Sequence, residues 1–454
     1  MPQDPAFALA DHVARTQWAD LPASAIAAST RDILDTFGCM IGGTAAPGID
    51  DMHALYDDWG GKPESRVMLR GRTLPAPSAA MMNAAMGHAL DFDDTHDTAG
   101  SIHPGVSVLA AGLAMADRMG GVSGRDLILA ITLGLDVSCR IALASTLDRG
   151  WHRTAAIGIF GATATVGKLI GLDGEQMRHA VGAAFSQAAG NRQCILDSAL
   201  TKRFQAGQAA SGGIISALLA QRGFTGAHNI FCGRYGFLEL YQPNGADAFH
   251  LTAELGHAFR GEGLSFKPDP CGRPLHAAID AALAARAALG ITGAADIAAI
   301  SIASDPADHA DQFQGSPAKR RPTQVVEAQF AQPFLVANAL VLGRVGINDV
   351  ANANDPAVLA LSDRIEGRAE AGKPKGWLAI TVTHRDGRTT TVQATDPIGS
   401  PQKPLSAEQS AAKFRDNARN ARVVLDDATI DGTLAAIGDL SSMPDVRAML
   451  TPFA

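Results

Sequence analysis

Residues 104–144 read PGVSVLAAGLAMADRMGGVSGRDLILAITLGLDVSCRIALA. Small and aliphatic side chains fill both halves, a Gly-Gly pair divides them, and Ser123 stands where a hydroxyl can cap the second half. Pro104 suits the first position of a helix, because the N–H it lacks would have no intrahelical partner there. The stretch predicts two helices, Pro104–Met119 and Gly124–Ala144, joined by a short link. Working outward, the same texture recurs at Leu21–Gly43, Ser78–Ala89, Thr154–Ile170, Glu175–Ala189 and Arg203–Gln221. In the first of these, Ile26, Ile33, Phe37 and Ile41 repeat at helical spacing and the pattern stops on Gly42-Gly43. Asp173 can cap the segment that follows it. Together these segments predict a large all-helical domain.

The texture changes after residue 265. Asp296–Ser304 predicts a strand, and LAITVTH and TTTVQAT on either side of Arg385-Asp386-Gly387-Arg388 predict a hairpin. Helices are expected at Arg273–Leu289 and Thr323–Leu342, which makes this stretch an α+β unit. Helical patterns return after Pro401-Gln402-Lys403-Pro404, at Ser406–Asn417 and Ala428–Ile437. The expected fold class is therefore mainly α: a helical domain over residues 1–265, an inserted smaller α+β lid domain over 266–400, and C-terminal helices over 401–454 that rejoin the first.

At 454 residues, with 46% hydrophobic and 19% charged side chains, the chain has the composition of a globular protein with a large core. A net charge of −8 offers no field for nucleic acid or anionic lipid, so neither is expected as a partner. No apolar run reaches the length of a membrane span, and Met1-Pro2-Gln3-Asp4 lacks the features of a signal peptide, so a cytoplasmic location is expected. The five cysteines lie far apart without a C-x-x-C pair, and they read as reduced thiols rather than metal ligands.

Four polar clusters stand out. Asp91-Phe92-Asp93-Asp94-Thr95-His96-Asp97, followed by Ile102-His103-Pro104-Gly105, packs four carboxylates and two imidazoles into thirteen residues. Such crowding shifts pKa values toward catalytic use, and the helix start after His103 favours a neutral, proton-accepting imidazole. The bland alternative is a solvated loop whose acids favour the helix start. A Mg²⁺ site on Asp91, Asp93 and Asp94 is a further alternative. A cation-cyclising acid there is disfavoured by a chain with three tyrosines and four tryptophans. His152 lies in the second cluster, Gly150-Trp151-His152-Arg153-Thr154, where a capping role is the plainer reading. In the third, Thr201-Lys202-Arg203-Phe204, two cations open a helix against its dipole, as anion-binding sites do. The fourth, Ser265 to His276, contains Lys267 and Arg273 and falls at the border of the two domains.

The runs HALDFDDTH with the later HPG, WHRTAAIGIFGA, LTKRFQAGQAASGG and FKPDPCGRPLHAAIDAAL, together with STRDILDTFGCMIGG, resemble the MmgE/PrpD family over nearly the whole chain. That family includes 2-methylcitrate dehydratase, cis-aconitate decarboxylase and iminodisuccinate epimerase. The resemblance implies a homodimer with no metal or organic cofactor, acting on a small polycarboxylate. It places Asp91, Thr95, His103, His152, Lys202 and Lys267 in the pocket. His96 stands where several relatives carry an aromatic residue, which implies a more polar pocket floor. On the lid helix, Phe334 stands where the family pattern has a tyrosine, with Phe330 as the alternative match.

The implied chemistry is loss of a proton, carboxylate or hydroxide at a carbon next to a carboxylate. His103 is the expected base or acid with His152 as partner, and Lys202, Lys267 and Arg273 neutralise the developing charge. A neutral lysine is an alternative base. The expected activity is a cofactor-independent hydro-lyase similar to 2-methylcitrate dehydratase. Epimerisation of a dicarboxylate such as iminodisuccinate comes second, decarboxylation third, and a noncatalytic carboxylate-binding scaffold last. With phenylalanine in place of tyrosine, cis-aconitate is expected to be a poor substrate.

Overall fold

The computed structural model describes residues 3–454. It is mainly helical and divides into two compact units. The first comprises the chain up to Leu196, Leu200–Phe266 and Ser406–Ala454, and the second comprises Asp197–Ala199 and Lys267–Leu405.

Eleven helices run through the first unit before residue 222: α1 Pro5–Arg15, α2 Ala23–Gly42, α3 Ile49–Trp59, α4 Ala76–Gly87, α5 Gly105–Met119, α6 Gly124–Leu143, α7 Arg153–Ala156, α8 Gly158–Leu169, α9 Gly174–Phe185, α10 Gln193–Leu196 and α11 Thr201–Gln221. Helix α11 packs on α4 and α8, and α8 in turn packs on α5 and α6. These crossings are close enough to need glycine. A Cβ on Gly207 would stand 2.5 Å from the Met81 carbonyl oxygen of α4, and one on Gly213 would stand 2.5 Å from Ala162 Cβ of α8. Backbone-to-backbone contact of this kind explains a helical core built from alanine and glycine with few aromatic rings. The C-terminal helix Ala407–Arg419 packs on α2, and its Lys413 ammonium donates to Asp35 Oδ1 and to the Phe92 carbonyl, each at 2.6 Å.

The caps follow from the sequence. Ser123 Oγ accepts from the Asp126 N–H at 3.1 Å, and Asp173 Oδ1 accepts from the Gln176 N–H at 2.8 Å. Pro104 is the N-cap of α5 rather than its first residue, and the N–H of Gly105 is satisfied by the Asp94 carboxylate at 3.2 Å. The segment expected as one helix over 154–170 is broken at Ile157 into α7 and α8. There the Ser107 hydroxyl of α5 donates to the Gly158 carbonyl at 3.3 Å, at the first residue of α8. Helices α1 and α3 and a short antiparallel hairpin, β1 Ser65–Val67 with β2 Arg72–Leu74, are additions to what the sequence patterns predict.

The second unit holds a four-stranded sheet of β3 Ile297–Ser304, β4 Glu366–Ala369, β5 Leu378–His384 and β6 Thr389–Gln393, in the order β4-β3-β5-β6. Strands β5 and β6 form the expected hairpin, while β4 is an added edge strand parallel to β3. The helix His276–Leu289 covers β5 and β6, and Ile279, Ile302, Leu340 and Ile380 lie in one continuous core. The helix expected over 323–342 is interrupted: Val325–Gln329 ends, and Gln332–Leu342 begins anew. Pro333 supplies no N–H for the Gln329 carbonyl, and its ring would clash with that carbonyl in a continuous helix. The Gln332 N–H instead donates to Gln312 Oε1 at 2.9 Å. No helix among the described residues is long and apolar enough to cross a membrane.

Candidate functional site

The acidic loop between α4 and α5 is folded inward. Asp91, Asp93, Asp94, Thr95, His96 and His103 are all buried, which removes the reading of a solvated loop. Asp91 has φ +52°, a left-handed conformation that aspartate tolerates better than most residues and that turns the chain sharply after α4. Thr95 is held through its backbone, which exchanges hydrogen bonds with Ser265 at 2.8 and 2.7 Å. Its buried hydroxyl has no hydrogen-bond partner among the described residues.

His103 Nδ1 lies 2.5 Å from the Asp94 carbonyl oxygen and 3.7 Å from Asp93 Oδ2. A carbonyl only accepts, so Nδ1 carries hydrogen and Nε2 is the basic nitrogen of the neutral ring. Next to it stands His88, the residue after α4, whose ring centroid is 5.1 Å from that of His103 and 5.3 Å from that of His152. His88 Nδ1 donates to Asp93 Oδ2 at 2.7 Å, and His88 Nε2 accepts from Lys202 Nζ at 2.8 Å and lies 3.3 Å from His152 Nε2. Lys202, in the first turn of α11, also pairs with Asp91 Oδ2 at 3.3 Å. Burial lowers the pKa of His88, against the pull of Asp93. His152 is pushed well below the usual histidine value by burial first and then by His88, Lys202 and His103. Arg203 beside Lys202 is lowered by burial to about 10, and it donates to the Pro47 carbonyl at 2.7 Å.

The structure thus brings Asp91, His103, His152 and Lys202 around His88, a residue the sequence reading did not single out, and Asp93, which it named only within the acidic cluster and as an alternative metal ligand. Both lie inside the quoted run HALDFDDTH, and the available signal was an imidazole at a helix end five residues before a carboxylate. His96 takes another course: its Nδ1 meets Thr98 Oγ1 at 3.3 Å, and the ring lies against Gly263. Burial lowers its pKa, with Asp97 opposing.

In the second unit, Lys267 and Arg273 are buried on either side of the Pro-Asp-Pro-Cys-Gly turn. Arg273 Nη1 donates to the Ile398 carbonyl at 3.0 Å. Both cations bear on His276, whose pKa falls to about 3 through burial, Arg273 and Lys267. Phe334 lies in the same unit. The break at Pro333 places it in the first turn of a new helix, where it joins the apolar core of this unit at 1% exposure. It also lines a cavity of about 230 Å³ with Asn338 and Asn348. Phe330 sits at the break itself, half-buried, and a Cβ on Gly272 would stand 2.7 Å from its ring. Phe334 thus belongs to the apolar core of this unit and also borders that cavity.

Among the described residues no group of three or more His, Cys, Asp or Glu side chains is arranged to hold a metal ion. Residues 8–250 match the MmgE/PrpD N-terminal domain and residues 270–430 the MmgE/PrpD C-terminal domain. The chain belongs to the MmgE/PrpD family. It is 27% identical over 470 residues to the cis-aconitate decarboxylase-like protein oryM of Aspergillus oryzae, covering 97% of this chain and 95% of that protein. Similarity to the cis-aconitate decarboxylase of Homo sapiens is 27% identity over 451 residues, 93% of this chain and 89% of the human one. The cis-aconitate decarboxylase of Aspergillus terreus is 30% identical over 246 residues, about half of each chain (52% and 50%). These relatives are lyases of a small carboxylic acid.

Proposed function

We propose that this protein is a cofactor-independent lyase acting on a small di- or tricarboxylic acid by proton transfer at the carbon next to a carboxylate. The observation that carries the reading is the tautomer of His103, whose Nδ1–H is spent on the Asp94 carbonyl, leaving Nε2 as the basic nitrogen of a ring that packs beside His88, which in turn accepts from the Lys202 ammonium. Carbon acids of this kind are weak, so the charge that develops on the carboxylate needs a cation in a dry site. Lys202 supplies one, held between His88 and Asp91. By the family resemblance Lys267 and Arg273 serve the other carboxylates of the substrate, while Asp91 and Thr95 orient it.

Dehydration of a hydroxy acid similar to 2-methylcitrate is the first reaction we assign, since it needs both a base for the carbon-bound proton and an acid for the departing hydroxide. Neighbouring imidazoles, one of them bonded to Lys202, offer both roles. Decarboxylation of a cis-aconitate-like acid is the second reading, supported by the names of the relatives; it needs only an acid to protonate the carbanion left by CO₂. Epimerisation is the third. By the resemblance we also assign a homodimer, and from the hydropathy of the sequence a cytoplasmic location.

Proton NMR in D₂O with a panel of di- and tricarboxylic acids separates these reactions. A new vinylic signal without gas release marks dehydration, CO₂ release marks decarboxylation, and exchange at the α-carbon without net change marks epimerisation. No change with any acid refutes the enzyme reading and leaves a carboxylate-binding scaffold.

A further inference from the structure

Behind the loop that carries His103 lies a carboxyl group with no donor. Asp32, on α2, is fully buried, and neither of its oxygens has a hydrogen-bond partner among the described residues; the Thr36 hydroxyl, one turn on, has none either. The Lys413 ammonium is taken by Asp35 and by the Phe92 carbonyl. Asp94, equally buried, accepts from the Gly105 N–H through both oxygens, at 3.2 and 3.3 Å. The two acids converge on the start of α5. A Cβ on Gly105 would stand 2.7 Å from Asp32 Oδ1, 2.7 Å from Asp94 Oδ1 and 2.5 Å from Thr36 Oγ1, so the bare Cα of glycine lets the three oxygens close over the helix start. Two ionised carboxylates placed in this way have no hydrogen to give each other, and in a dry surrounding they repel. One proton gives the pair a donor and removes one of two buried charges.

We propose that Asp32 and Asp94 hold one proton between them, carried on Asp32, and that Asp32 is thereby a positioning residue for His103. It acts through a single neighbour: Asp94 takes the Gly105 N–H on its carboxylate and the His103 Nδ1–H, at 2.5 Å, on its carbonyl. The proton keeps the Asp94 side chain against Gly105, and so holds in place the carbonyl that leaves Nε2 as the basic nitrogen of His103. Loss of the proton sets two charges against each other beside the first residue of α5 and displaces that carbonyl. This role rests on His103 being the base of the proposed reaction. The charged and titratable groups facing the pair are Asp35 from α2, Asp93 from the loop, Lys413 from the C-terminal helix and Cys139 from α6. Burial and the neighbouring acids raise both carboxyls, with Lys413 opposing the rise at Asp32 and the Gly105 N–H opposing it at Asp94. That N–H favours the ionised form of Asp94, whereas Asp32 has no such donor, which assigns the proton to Asp32.

The test uses the full-length protein without substrate, so its failure is separate from a failure of the lyase reading, which the acid panel decides. Infrared spectra in D₂O near neutral pH are expected to show the carbonyl stretch of a buried protonated carboxyl, and Asp32→Asn should remove it. With rising pH, loss of that band should be accompanied at the same midpoint by a shift of the His103 Nδ1 resonance in protein labelled with ¹⁵N at histidine. In Asp32→Asn, whose amide keeps a hydrogen for Asp94 and cannot ionise, the His103 resonance should stay fixed over the same range. Asp32→Ala, which removes the donor, should move that resonance already at neutral pH; if this variant does not fold, the titration of the parent tests the same link. A parent without the band, a band unchanged in Asp32→Asn, or a His103 resonance that follows neither the loss of the band nor the alanine substitution overturns the proposal.

Discussion

Replacing Asp32 by asparagine is expected to flatten the dependence of stability on pH. Asp32 lies on α2 with no exposure, and neither carboxylate oxygen has a hydrogen-bond partner among the described residues. Its Oδ1, the Thr36 hydroxyl and Asp94 Oδ1 all lie within 2.7 Å of the point where a Cβ on Gly105 would stand. Burial raises the pKa of Asp32 well above the usual carboxylate value, with Asp35 and Asp93 adding to the rise and Lys413 opposing it. Asp94 is raised by burial and by Asp32, Asp93 and Asp35 in turn. Cys139 of α6, itself raised by burial, faces the same group. A carboxyl whose native pKa stands above its unfolded value keeps a proton in the native state that the unfolded chain has lost. Stability therefore falls as pH rises from the unfolded value near 4 toward the native one, by about 1.4 kcal/mol per pH unit for one proton. Asparagine has the shape of the protonated acid, can donate to Asp94, and has no proton to lose. The gap in stability between Asp32→Asn and the parent should be small near pH 4 and widen in favour of the variant by about 1.4 kcal/mol per unit across that window. Urea unfolding at a series of pH values measures it, followed by the fluorescence of Trp18, Trp59 and Trp151, all of which lie in the first unit. Parallel curves for the two proteins would refute the retained-proton reasoning, as would a variant weaker than the parent at every pH.

Arg140 and Asp136 form a fully buried ion pair at 2.7 Å, and Arg140 also donates to the carbonyls of Ala253 and Ala258. Arg140→Met leaves buried Asp136 with only the Arg260 N–H at 2.7 Å and His12 at 3.5 Å, and should cost about 3–5 kcal/mol of stability, read from the urea midpoint. His103→Ala and Lys267→Met should each lower kcat by roughly two to four orders of magnitude on the acid identified by the NMR panel, with circular dichroism unchanged. Normal turnover in either folded variant removes that residue from the chemistry. Dialysis against EDTA should leave activity intact; a loss restored by Mg²⁺ would return Asp91, Asp93 and Asp94 to the role of metal ligands.

The helices were legible because their signals are local. Ser123 and Asp173 cap where their side chains allow it, and the Asp-Gly turn at Asp386 and Gly387 forms the hairpin of β5 and β6. Errors arose where a distant partner or a single backbone constraint prevailed. Pro333 interrupts the helix that its apolar neighbours predict, and Phe334 falls in the first turn of the second piece. The edge strand β4, Glu-Gly-Arg-Ala, has no apolar alternation to announce it and exists only by pairing with β3.

The candidate site was legible in its residue types but not in its wiring. The motifs give His103, His152 and Lys202, yet the contacts that join them through His88 span 64 residues from His88 to His152 and 114 from His88 to Lys202. No spacing rule reaches that far. Asp32 shows the same limit from the other side. In the run STRDILDTFGCMIGG it occupies what reads as the polar stripe of an amphipathic helix, but α2 is packed by α4 and α6 on one side and by the helix Ala407–Arg419 on another, and the stripe is buried. An aspartate kept in a core where alanine would pack without penalty costs stability unless it holds a proton or a partner. The buried carboxyls behind the loop are in that sense continuous with the imidazoles in front of it: Asp94 offers its carboxylate to Gly105 and its carbonyl to His103, so the charge state of the cluster around Asp32 bears directly on the geometry of the base.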